Sequence, residues 1–480
     1  MCGIVGVTGA DRAAEAAFLG LYALQHRGQE AAGIAAIDGG RGTLRRAEGL
    51  ITESFDESVL EGLPGRIALG HTRYSTAGGP GLVNAQPILV NYREGDLGLV
   101  HNGNITNAAR IRSRLVAEGA LFRGTIDSEV LVHLIARSRQ RTVDDQVREA
   151  LRQLVGAFSF LVTVGDTLYA ARDPWGYRPL VIGRRGDGWA LASETCALEL
   201  MGATDVRPVP PGEILRIRGE ELVSLPPLEP AERPQPCIFE LVYFARPDSR
   251  VFGVSVDRAR RAFGRQLARE QPADADCVFS VPDSSNSAAL GYAEESGIPF
   301  ELGLIRNHYV GRTFIHPVQA GRDFRVRIKY NAVREVIDGQ RVVVVDDSLV
   351  RGTTSRGLIS MIRDAGAREV HFRVASPPVR HPCFYGIDMP THEELIGAHN
   401  TVEEIARHLD VDSLGYLSLE GMHEAVRERG PFCDACFSGR YAAPLVDLQD
   451  QRRAQSVRGA DGAPTAAGAA SPPAAGTPSP

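Results

Sequence analysis

The chain has 480 residues, of which 43% are hydrophobic and 23% charged, an ordinary balance for a globular protein. Its 53 basic and 59 acidic residues leave a net charge of -6, so the composition excludes a strongly basic nucleic-acid binder. No apolar run approaches the roughly 18 residues that span a bilayer, and the first dozen residues lack the basic flank of a signal peptide. We therefore expect a cytoplasmic protein with no membrane and no nucleic-acid partner.

The pattern along the chain predicts two folded domains and a tail. Up to about residue 230, short apolar segments alternate with Gly-rich turns, and helical patterns occupy 11–25 and 127–154. The Pro-rich stretch PPLEPAERPQP at 226–236 predicts a linker, and the helix-strand alternation after about 255 is typical of a parallel sheet. The last 20 residues contain one charge and no large apolar side chain. We predict domains over 2–230 and 237–445 and a disordered tail over 446–480.

Cys2 lies between the initiator methionine and Gly3, a small neighbourhood from which the methionine is readily removed. The cysteine would then carry both a thiol and a free α-amino group. The pKa of such an amine, near 7.7 to 8.0, lets it accept the thiol proton, so no catalytic histidine is required. A cysteine at this position is weak evidence alone, because a small apolar residue at the start of a buried strand explains it better.

Five segments in a fixed order strengthen the catalytic interpretation. MCGIVGV, LQHRGQEAAGI, GHTRYSTAG, HNGNITN and TIDSEV together resemble the glutaminase domain of class II, N-terminal-nucleophile amidotransferases. The resemblance implies that Cys2 is the nucleophile and that Asn102 and the backbone N–H of Gly103 stabilise the oxyanion. It also implies that Arg73 binds the α-carboxylate of glutamine and Asp127 its α-ammonium group.

The string RVVVVDDSLVRGTTS at 341–355 predicts a second site. An apolar strand ends in two acids, and a turn then leads into a helix, an arrangement that suits a phosphate at the helix N-terminus and carboxylates facing sugar hydroxyls or Mg²⁺. It lacks the lysine of a Walker A loop. The string resembles the phosphoribosyl pyrophosphate signature of type I phosphoribosyltransferases. That resemblance implies binding by Asp346, Asp347, Ser348, Arg351, Gly352, Thr353, Thr354 and Ser355.

Two further segments narrow the resemblance. VPDSSNSAALGYAEESGIP at 281–299 and IRNHYVGRTFI at 305–315 are similar to segments of the amidophosphoribosyltransferase family. In that family the first segment wraps the pyrophosphate. Here the resemblance implies that Ser284 provides the hydroxyl beside the Mg²⁺ held by Asp346 and Asp347. Ser285 remains the alternative for this contact.

The stretch 305–330 is implied to be a mobile loop that closes over the substrate. It would bring Arg312 and Lys329 toward the pyrophosphate. Lys329 is the only lysine among the 53 basic residues, which favours a function for it over a surface position. His308 replaces the arginine usual there, so that contact is not carried over.

Four cysteines form a candidate metal site. Cys433 and Cys436 make a CxxC pair, and Cys237 and Cys383 lie in Pro-flanked stretches, so that four thiolates could complete one site. The spacing does not distinguish zinc from an iron-sulfur cluster. The resemblance does, because the four positions match the ligands of the iron-sulfur-containing branch of the family.

Three residues with reactive or charged side chains receive structural roles. Arg27, in the HRGQ segment, is expected to be structural or gating rather than catalytic. Cys196 and Cys277 match no ligand position, and we expect both to be packed in the interior.

Taken together, the resemblance implies an α+β N-terminal-nucleophile glutaminase sandwich followed by an α/β type I phosphoribosyltransferase domain with a parallel sheet. The implied substrates are glutamine and phosphoribosyl pyrophosphate, whose reaction gives 5-phosphoribosylamine. One Mg²⁺ and one 4Fe-4S cluster per subunit, purine nucleotides as feedback inhibitors and a homotetramer are implied as well. The alternative is a regulator that binds phosphoribosyl pyrophosphate without catalysis, which the intact Cys2 segment argues against.

Overall fold

The structure, a computed structural model, describes residues 1–74, 79, 81–307, 328–389, 391–427 and 430–451. Within these ranges no helix is long and apolar enough to cross a membrane. The predicted loop residue Arg312, together with His308, lies outside the described residues. The same holds for the predicted tail from residue 452 onward.

The first part of the chain is rich in strands. They are Gly3–Val7 (β1), Ala31–Asp38 (β2), Arg41–Glu48 (β3), Ile67–Arg73 (β4), Ile88–Tyr92 (β5), Gly95–Ile105 (β6), Gly156–Val164 (β7), Thr167–Arg172 (β8), Val181–Arg185 (β9), Gly188–Ala192 (β10), Thr204–Pro208 (β11), Ile214–Arg218 (β12) and Glu221–Leu225 (β13). Its helices are Ala13–Ala23 (α1), Ile51–Ser54 (α2), Glu57–Glu61 (α3), Ala108–Ala117 (α4), Glu129–Arg137 (α5), Val143–Leu151 (α6) and Thr195–Leu200 (α7).

These strands form two stacked antiparallel sheets. Within the described residues the first sheet has the order β11-β9-β10-β1-β4-β2-β3 and the second the order β13-β12-β8-β7-β6-β5. Ile4, Leu69 and Leu161 belong to the apolar core shared by strands of both sheets. Helices α1 and α7 cover the outer face of the first sheet, and α4, α5 and α6 cover that of the second. Strands β1 and β7 are buried at every position, which explains why their sequences lack polar alternation.

The second part alternates helices and strands. The strands are Arg250–Val251 (β14), Val254–Ser255 (β15), Cys277–Ser280 (β16), Leu304–Arg306 (β17), Tyr330–Ala332 (β18), Arg341–Asp346 (β19), Glu369–Val374 (β20) and Ser413–Tyr416 (β21). The helices are Val256–Glu270 (α8), Asn286–Ser296 (α9), Arg334–Ile337 (α10), Thr353–Asp364 (α11), Ile396–His399 (α12), Val402–Leu409 (α13), Leu419–Ala425 (α14) and Ala435–Ser438 (α15). A π-helical turn, Glu240–Phe244, precedes them.

Strands β16, β19, β20 and β21 form a parallel sheet in that spatial order, within the described part of the chain. Their carboxyl ends share one edge, and β19 reaches that edge at Asp346. This is the edge at which open α/β sheets bind their ligands. The antiparallel sandwich followed by a parallel sheet confirms the predicted fold class. Residues 226–236, predicted as a linker, contain no helix or strand.

The boundary predicted for the tail needs a correction. Residues 446–451 are helical and dock on the first domain, so the segment predicted as disordered from 446 is ordered at its start. The N–H of Asp447 donates to Thr106 O at 2.9 Å. The carboxylate of Asp447 accepts from the N–H groups of Ala109 at 2.8 Å and Arg110 at 3.0 Å. Composition did not reveal this contact, because Asp447 caps helix α4 at residues that lie 338 and 337 positions earlier in the chain.

Asp447→Ala should lower the free energy of unfolding by about 1 kcal/mol, because the first N–H groups of α4 lose their acceptor. Asp450→Ala is the matched control. It removes an exposed pair with Arg110 at 3.9 Å, which contributes little. Chemical denaturation of both variants measures the difference. Equal stabilities would show that the docked segment does not cap α4.

Candidate functional site

Cys2 lies directly before β1, where its thiol, N–H and carbonyl group each contact a different element. Its Sγ donates to the carbonyl of Tyr74 at 3.6 Å, and its N–H donates to Asn102 Oδ1 at 3.3 Å. Its carbonyl oxygen accepts from Arg27 Nε at 3.0 Å. Because Cys2 is only partly buried, a small molecule can reach the thiol.

Asn102 and Gly103 follow each other on β6. Asn102 is completely buried, and its Nδ2 has no hydrogen-bond partner among the described residues. Such a buried donor is costly unless a ligand accepts its hydrogen bond. Gly103 has a φ of +151°, and a Cβ there would lie 2.1 Å from the carbonyl oxygen of Ala157, so only glycine fits. An unpaired donor beside Cys2 is what the predicted oxyanion role requires.

Arg73 lies at the end of β4 and is 4% exposed. Its Nη2 donates to the carbonyl of Gly79 at 2.8 Å and its Nη1 to that of Gly81 at 3.3 Å. The guanidinium therefore fixes the backbone carbonyls of Gly79 and Gly81, which follow Arg73 in the chain. A glutamine carboxylate bound here would have to share or displace these contacts.

Asp127 is a partly buried carboxylate with hydrogen-bond donors around it. Its two oxygens accept from the N–H groups of Ile105 at 2.8 Å and Ser128 at 2.9 Å. Burial acts to raise the pKa of Asp127, but His101 and these hydrogen bonds hold it below its ordinary value. His101 itself stacks on Phe160 with the ring centroids 4.3 Å apart. Asp127 is thus kept ionised, as a partner for an ammonium group should be.

Met1 is completely buried beside the candidate nucleophile. Its Sδ contacts Arg178 and lies 3.9 Å from Arg27 Nη2. Burial lowers the pKa of the Met1 α-ammonium group to about 6. Removal of Met1 would place the free amine on the nitrogen of Cys2, which contacts Asn102.

Arg27 connects Cys2 to two buried acids. Its Nη1 lies 2.5 Å from Glu194 Oε1 and 3.0 Å from Glu240 Oε2, and its Nη2 lies 2.9 Å from Glu240 Oε1. All three side chains are completely buried. Glu194 also lies 2.8 Å from His26 Nε2 and accepts from Ser249 Oγ at 2.8 Å. Arg27 therefore connects the carbonyl of Cys2 to Glu194 in the first domain and to Glu240 in the second.

The predicted acids of the second site lie at the carboxyl end of β19, and serine hydroxyls converge on them. Ser284 Oγ donates to Asp347 at 2.5 Å, and Ser348 Oγ donates to its other oxygen at 2.6 Å. Ser285 Oγ reaches Asp346 at 3.2 Å and Asp347 at 3.3 Å. Burial and the charge of Asp347 raise the pKa of Asp346, and burial raises that of Asp347.

The turn after these acids begins helix α11. Gly352 has a φ of +75°, a left-handed conformation that favours glycine. Thr353 and Thr354 follow in the first turn with exposed side chains, whereas Ser355 is buried. The N–H groups at this helix start and the two hydroxyls can together hold a phosphate.

The cations predicted for this site differ in their surroundings. Arg351 is exposed, and its Nε lies 3.2 Å from Glu394 rather than at the acids. Partial desolvation and Arg306 lower the pKa of Lys329, whereas Asp346 and Asp347 act to raise it. Lys329 therefore interacts electrostatically with Asp346 and Asp347, whereas Arg351 pairs with Glu394.

The four predicted cluster cysteines come from three segments that pack together. Cys433 N–H donates to Pro236 O at 2.8 Å, and Cys237 and Cys433 form an isolated parallel bridge. Cys237, Cys433 and Cys436 are 4 to 7% exposed, and Cys383 is partly buried. Burial raises the pKa of the Cys436 thiol, and the charges of the other three cysteines raise it further. All four are free thiols.

A buried cation lies in the same region as these cysteines. In the described ranges, no group of three or more His, Cys, Asp or Glu side chains is arranged to hold one metal ion. Arg178 is buried in the same region with Nε and Nη2 lacking partners among the described residues. Burial raises the pKa of Cys237, and Arg178 acts to lower it.

The segment after Cys383 also contacts the first site. The carbonyl of Phe384 accepts from Asn104 Nδ2 at 3.0 Å. A Cβ on Gly386 would lie 2.7 Å from the carbonyl carbon of Gly103. The strand that carries Asn102 and Gly103 is therefore packed against the second domain.

Several residues of these sites were missed in the sequence. His101 belongs to the HNGN segment and could have been identified there. Glu194 and Glu240 lie in the apolar segments WALASET and IFELVYF, where an acid predicts a buried partner. Their partner Arg27 is 167 and 213 positions away, so no local pattern identifies it. The predicted burial of Cys196 and Cys277 is confirmed, at 5% exposure each.

Comparisons with known proteins agree with this geometry. Residues 72–200 match the family model described as a glutamine amidotransferase domain. The amidophosphoribosyltransferase of Bacillus subtilis (strain 168) is 49% identical over 450 residues, covering 92% of this chain and 94% of the relative. That of Methanocaldococcus jannaschii is 46% identical, covering 92% and 97%.

A solved structure gives the same result at the level of the fold. The glutamine phosphoribosylpyrophosphate amidotransferase from B. subtilis, complexed with ADP and GMP, superposes with a TM-score of 0.87 at 48% identity and covers 92% of this chain and 98% of its own. The chain therefore belongs to the amidophosphoribosyltransferase family, the enzymes that transfer ammonia from glutamine to C1 of phosphoribosyl pyrophosphate in the first committed step of purine biosynthesis.

Proposed function

We propose that Cys2, freed of Met1, is the nucleophile that hydrolyses glutamine. The thiolate attacks the side-chain amide carbon, ammonia leaves, and water then releases glutamate from the thioester. Asn102 Nδ2 and the N–H of Gly103 donate to the oxyanion of each tetrahedral intermediate. The observation that carries this assignment is the buried Nδ2 of Asn102 next to Cys2, which has no partner within the described part of the chain.

Three groups are proposed to prepare the substrate and the nucleophile. The free α-amine of Cys2 takes the thiol proton and returns a proton to the leaving ammonia. Arg73 binds the α-carboxylate of glutamine, and the ionised Asp127 binds its α-ammonium group. Asp127 is suited to this role because His101 and hydrogen bonds hold its pKa low against the effect of desolvation.

The second half-reaction is proposed to occur at Asp346 and Asp347. Ammonia forms a bond to C1 as the bond to pyrophosphate breaks, and the developing positive charge on the sugar faces the two acids. One Mg²⁺ per subunit, held by these carboxylates and by Ser284, would neutralise the leaving pyrophosphate. Gly352, Thr353 and Thr354 hold the 5-phosphate at the start of α11. This site supports the proposal because the hydroxyls of Ser284 and Ser285 converge on the two carboxylates.

Ammonia must stay unprotonated between the two sites, since ammonium has no lone pair with which to attack C1. We propose that the loop at 305–330 closes over phosphoribosyl pyrophosphate, bringing Lys329 and Arg312 to it and sealing a dry path. Glutamine hydrolysis should then be weak alone and rise at least about tenfold when the second substrate binds.

The four cysteines are proposed to hold one 4Fe-4S cluster per subunit. Their burial, their mutual electrostatic effect and their origin in three segments support this assignment. The cluster would join the linker, the segment at Cys383 and the C-terminal CxxC pair. No step of either half-reaction transfers electrons, so a structural role is sufficient.

Regulation and assembly are proposed from the relatives. The related B. subtilis enzyme was solved with ADP and GMP, which supports purine nucleotides as feedback inhibitors of this chain. Another related structure is described as the allosteric regulatory enzyme of purine biosynthesis. A homotetramer is the assembly that we propose.

Cys2→Ala should reduce glutamine-dependent product formation by roughly three orders of magnitude or more, because only hydrolysis uses the thiol. The reaction with a high concentration of ammonia should be retained, since it needs the second site alone. Pyrophosphate release with each nitrogen source measures both. Cys277→Ala, which removes a thiol from the core of the parallel sheet, is the control and should keep both activities. Loss of both in Cys2→Ala would contradict the assignment.

Anaerobically purified protein should be brown and contain about four iron atoms per chain, as a Cys₄-held cube requires. Cys436→Ser should give colourless and poorly soluble protein, whereas Cys196→Ser should keep its iron. Metal analysis and the absorption spectrum provide the measurement. Stoichiometric zinc in place of iron would show that the site holds a different metal.

Asp346→Asn should stabilise the protein free of Mg²⁺ and substrate while abolishing the transfer step. Because the folded state raises the pKa of Asp346, stability falls as the pH rises above the unfolded value near 3.9, and a neutral amide removes this cost. The expected gain at neutral pH is about 0.5–2 kcal/mol.

Thermal unfolding of Asp346→Asn without metal measures this gain. Asp276→Asn is the control of opposite sign, because hydrogen bonds from Arg341 lower the pKa of Asp276 to about 2. A lower melting temperature for Asp346→Asn would mean that the acids do not repel each other in the free enzyme.

A further inference from the structure

Arg260 contacts the backbone of the segment 281–299 in the candidate phosphoribosyl site. It lies on helix α8 and is 2% exposed. Its Nη1 donates to the backbone carbonyl of Ser284 at 3.3 Å. The hydroxyl of the same serine donates to Asp347 at 2.5 Å. A change in the position of Ser284 must therefore alter a hydrogen bond of a buried cation.

The same guanidinium fixes the π-helical turn Glu240–Phe244 near the start of the second domain. Its Nε donates to Leu241 O at 2.9 Å, and its Nη2 donates to Ala245 O at 2.8 Å. The turn is closed by the N–H of Ala245, which donates to Glu240 O at 3.0 Å. Arg260 thus sets the backbone position of the residue at which the turn begins, Glu240.

Glu240 passes this constraint to the glutaminase site. Its carboxylate accepts from Arg27 at 2.9 and 3.0 Å. Arg27 in turn donates to the carbonyl oxygen of Cys2 at 3.0 Å. Arg27 and Glu240 are completely buried, so water cannot replace either contact without opening the interior. Direct contacts therefore lead from Ser284 through Arg260, the turn and Arg27 to Cys2.

We propose that Arg260 is the positioning residue through which the phosphoribosyl pyrophosphate loop acts on the nucleophile Cys2. Substrate and metal engage Ser284 and Asp347, Ser284 moves against Arg260, and the turn carries the shift to Glu240 and Arg27. This rests on the proposed stimulation of glutamine hydrolysis by phosphoribosyl pyrophosphate. Arg260 touches neither substrate. Its role differs from a purely structural one because it affects the response of one site to the other.

The test uses Arg260→Met, Arg260→Lys and the control Arg261→Met in the full-length enzyme. Arg261 is the next residue on α8, and its guanidinium pairs with Asp257 at 3.1 Å and Glu294 at 2.6 Å on the surface. Glutamate release is measured with and without saturating phosphoribosyl pyrophosphate. The ammonia-dependent reaction and the shift of melting temperature caused by that substrate verify that the second site is occupied.

In wild type and Arg261→Met we expect stimulation of at least about tenfold, equivalent to about 1.4 kcal/mol of coupling. Arg260→Met should fall below about threefold with unchanged basal hydrolysis, and Arg260→Lys should lie between. If Arg260→Met does not fold, Arg260→Lys decides. Full stimulation in a folded Arg260 variant overturns the proposal. Absence of stimulation in wild type overturns the proposed coupling itself, which separates the two failures.

Discussion

The requirement that buried charge be paired governs the interior of this molecule. Arg27, Arg178 and Arg260 are among its largest fully buried side chains. A guanidinium is tolerated in such surroundings only where acceptors surround it. Arg27 takes its acceptors from residues 2, 194 and 240, and Arg260 takes its own from 241, 245 and 284. Segments from both domains are therefore bound to the same cations and cannot shift independently.

Two of the places where this pairing is incomplete lie at proposed ligand sites. Among the described residues, Asn102 Nδ2 lacks an acceptor where an oxyanion would form, and two nitrogens of Arg178 lack acceptors near Cys237. Asp346 and Asp347 place like charges together where Mg²⁺ would bind. At these positions a bound ligand would complete the hydrogen bonding of the folded chain.

The sequence predicted contiguous features well. Both kinds of sheet, the acids at the carboxyl end of β19 and the helix that begins at Thr353 follow from local patterns of burial and turn chemistry. The roles of Glu194, Glu240 and Arg260 were not predicted. Each of these residues acts through partners that are distant in the chain, and a single sequence does not identify such pairs. The start of the tail was misplaced for the same reason, since Asp447 is held by a helix more than 300 positions away.

The contact between Gly386 and Gly103 limits how this enzyme can be divided. The wall beside the proposed oxyanion site is formed partly by the other domain, at a distance that leaves no room for a side chain. Residues 1–230 are consequently not an exchangeable cassette, although a proline-rich stretch marks their end. Recombination at that stretch would join the glutaminase fold to an acceptor domain that lacks the close backbone contact made by Gly386 with Gly103. A functional chimera has to carry the segment around residue 386 with it.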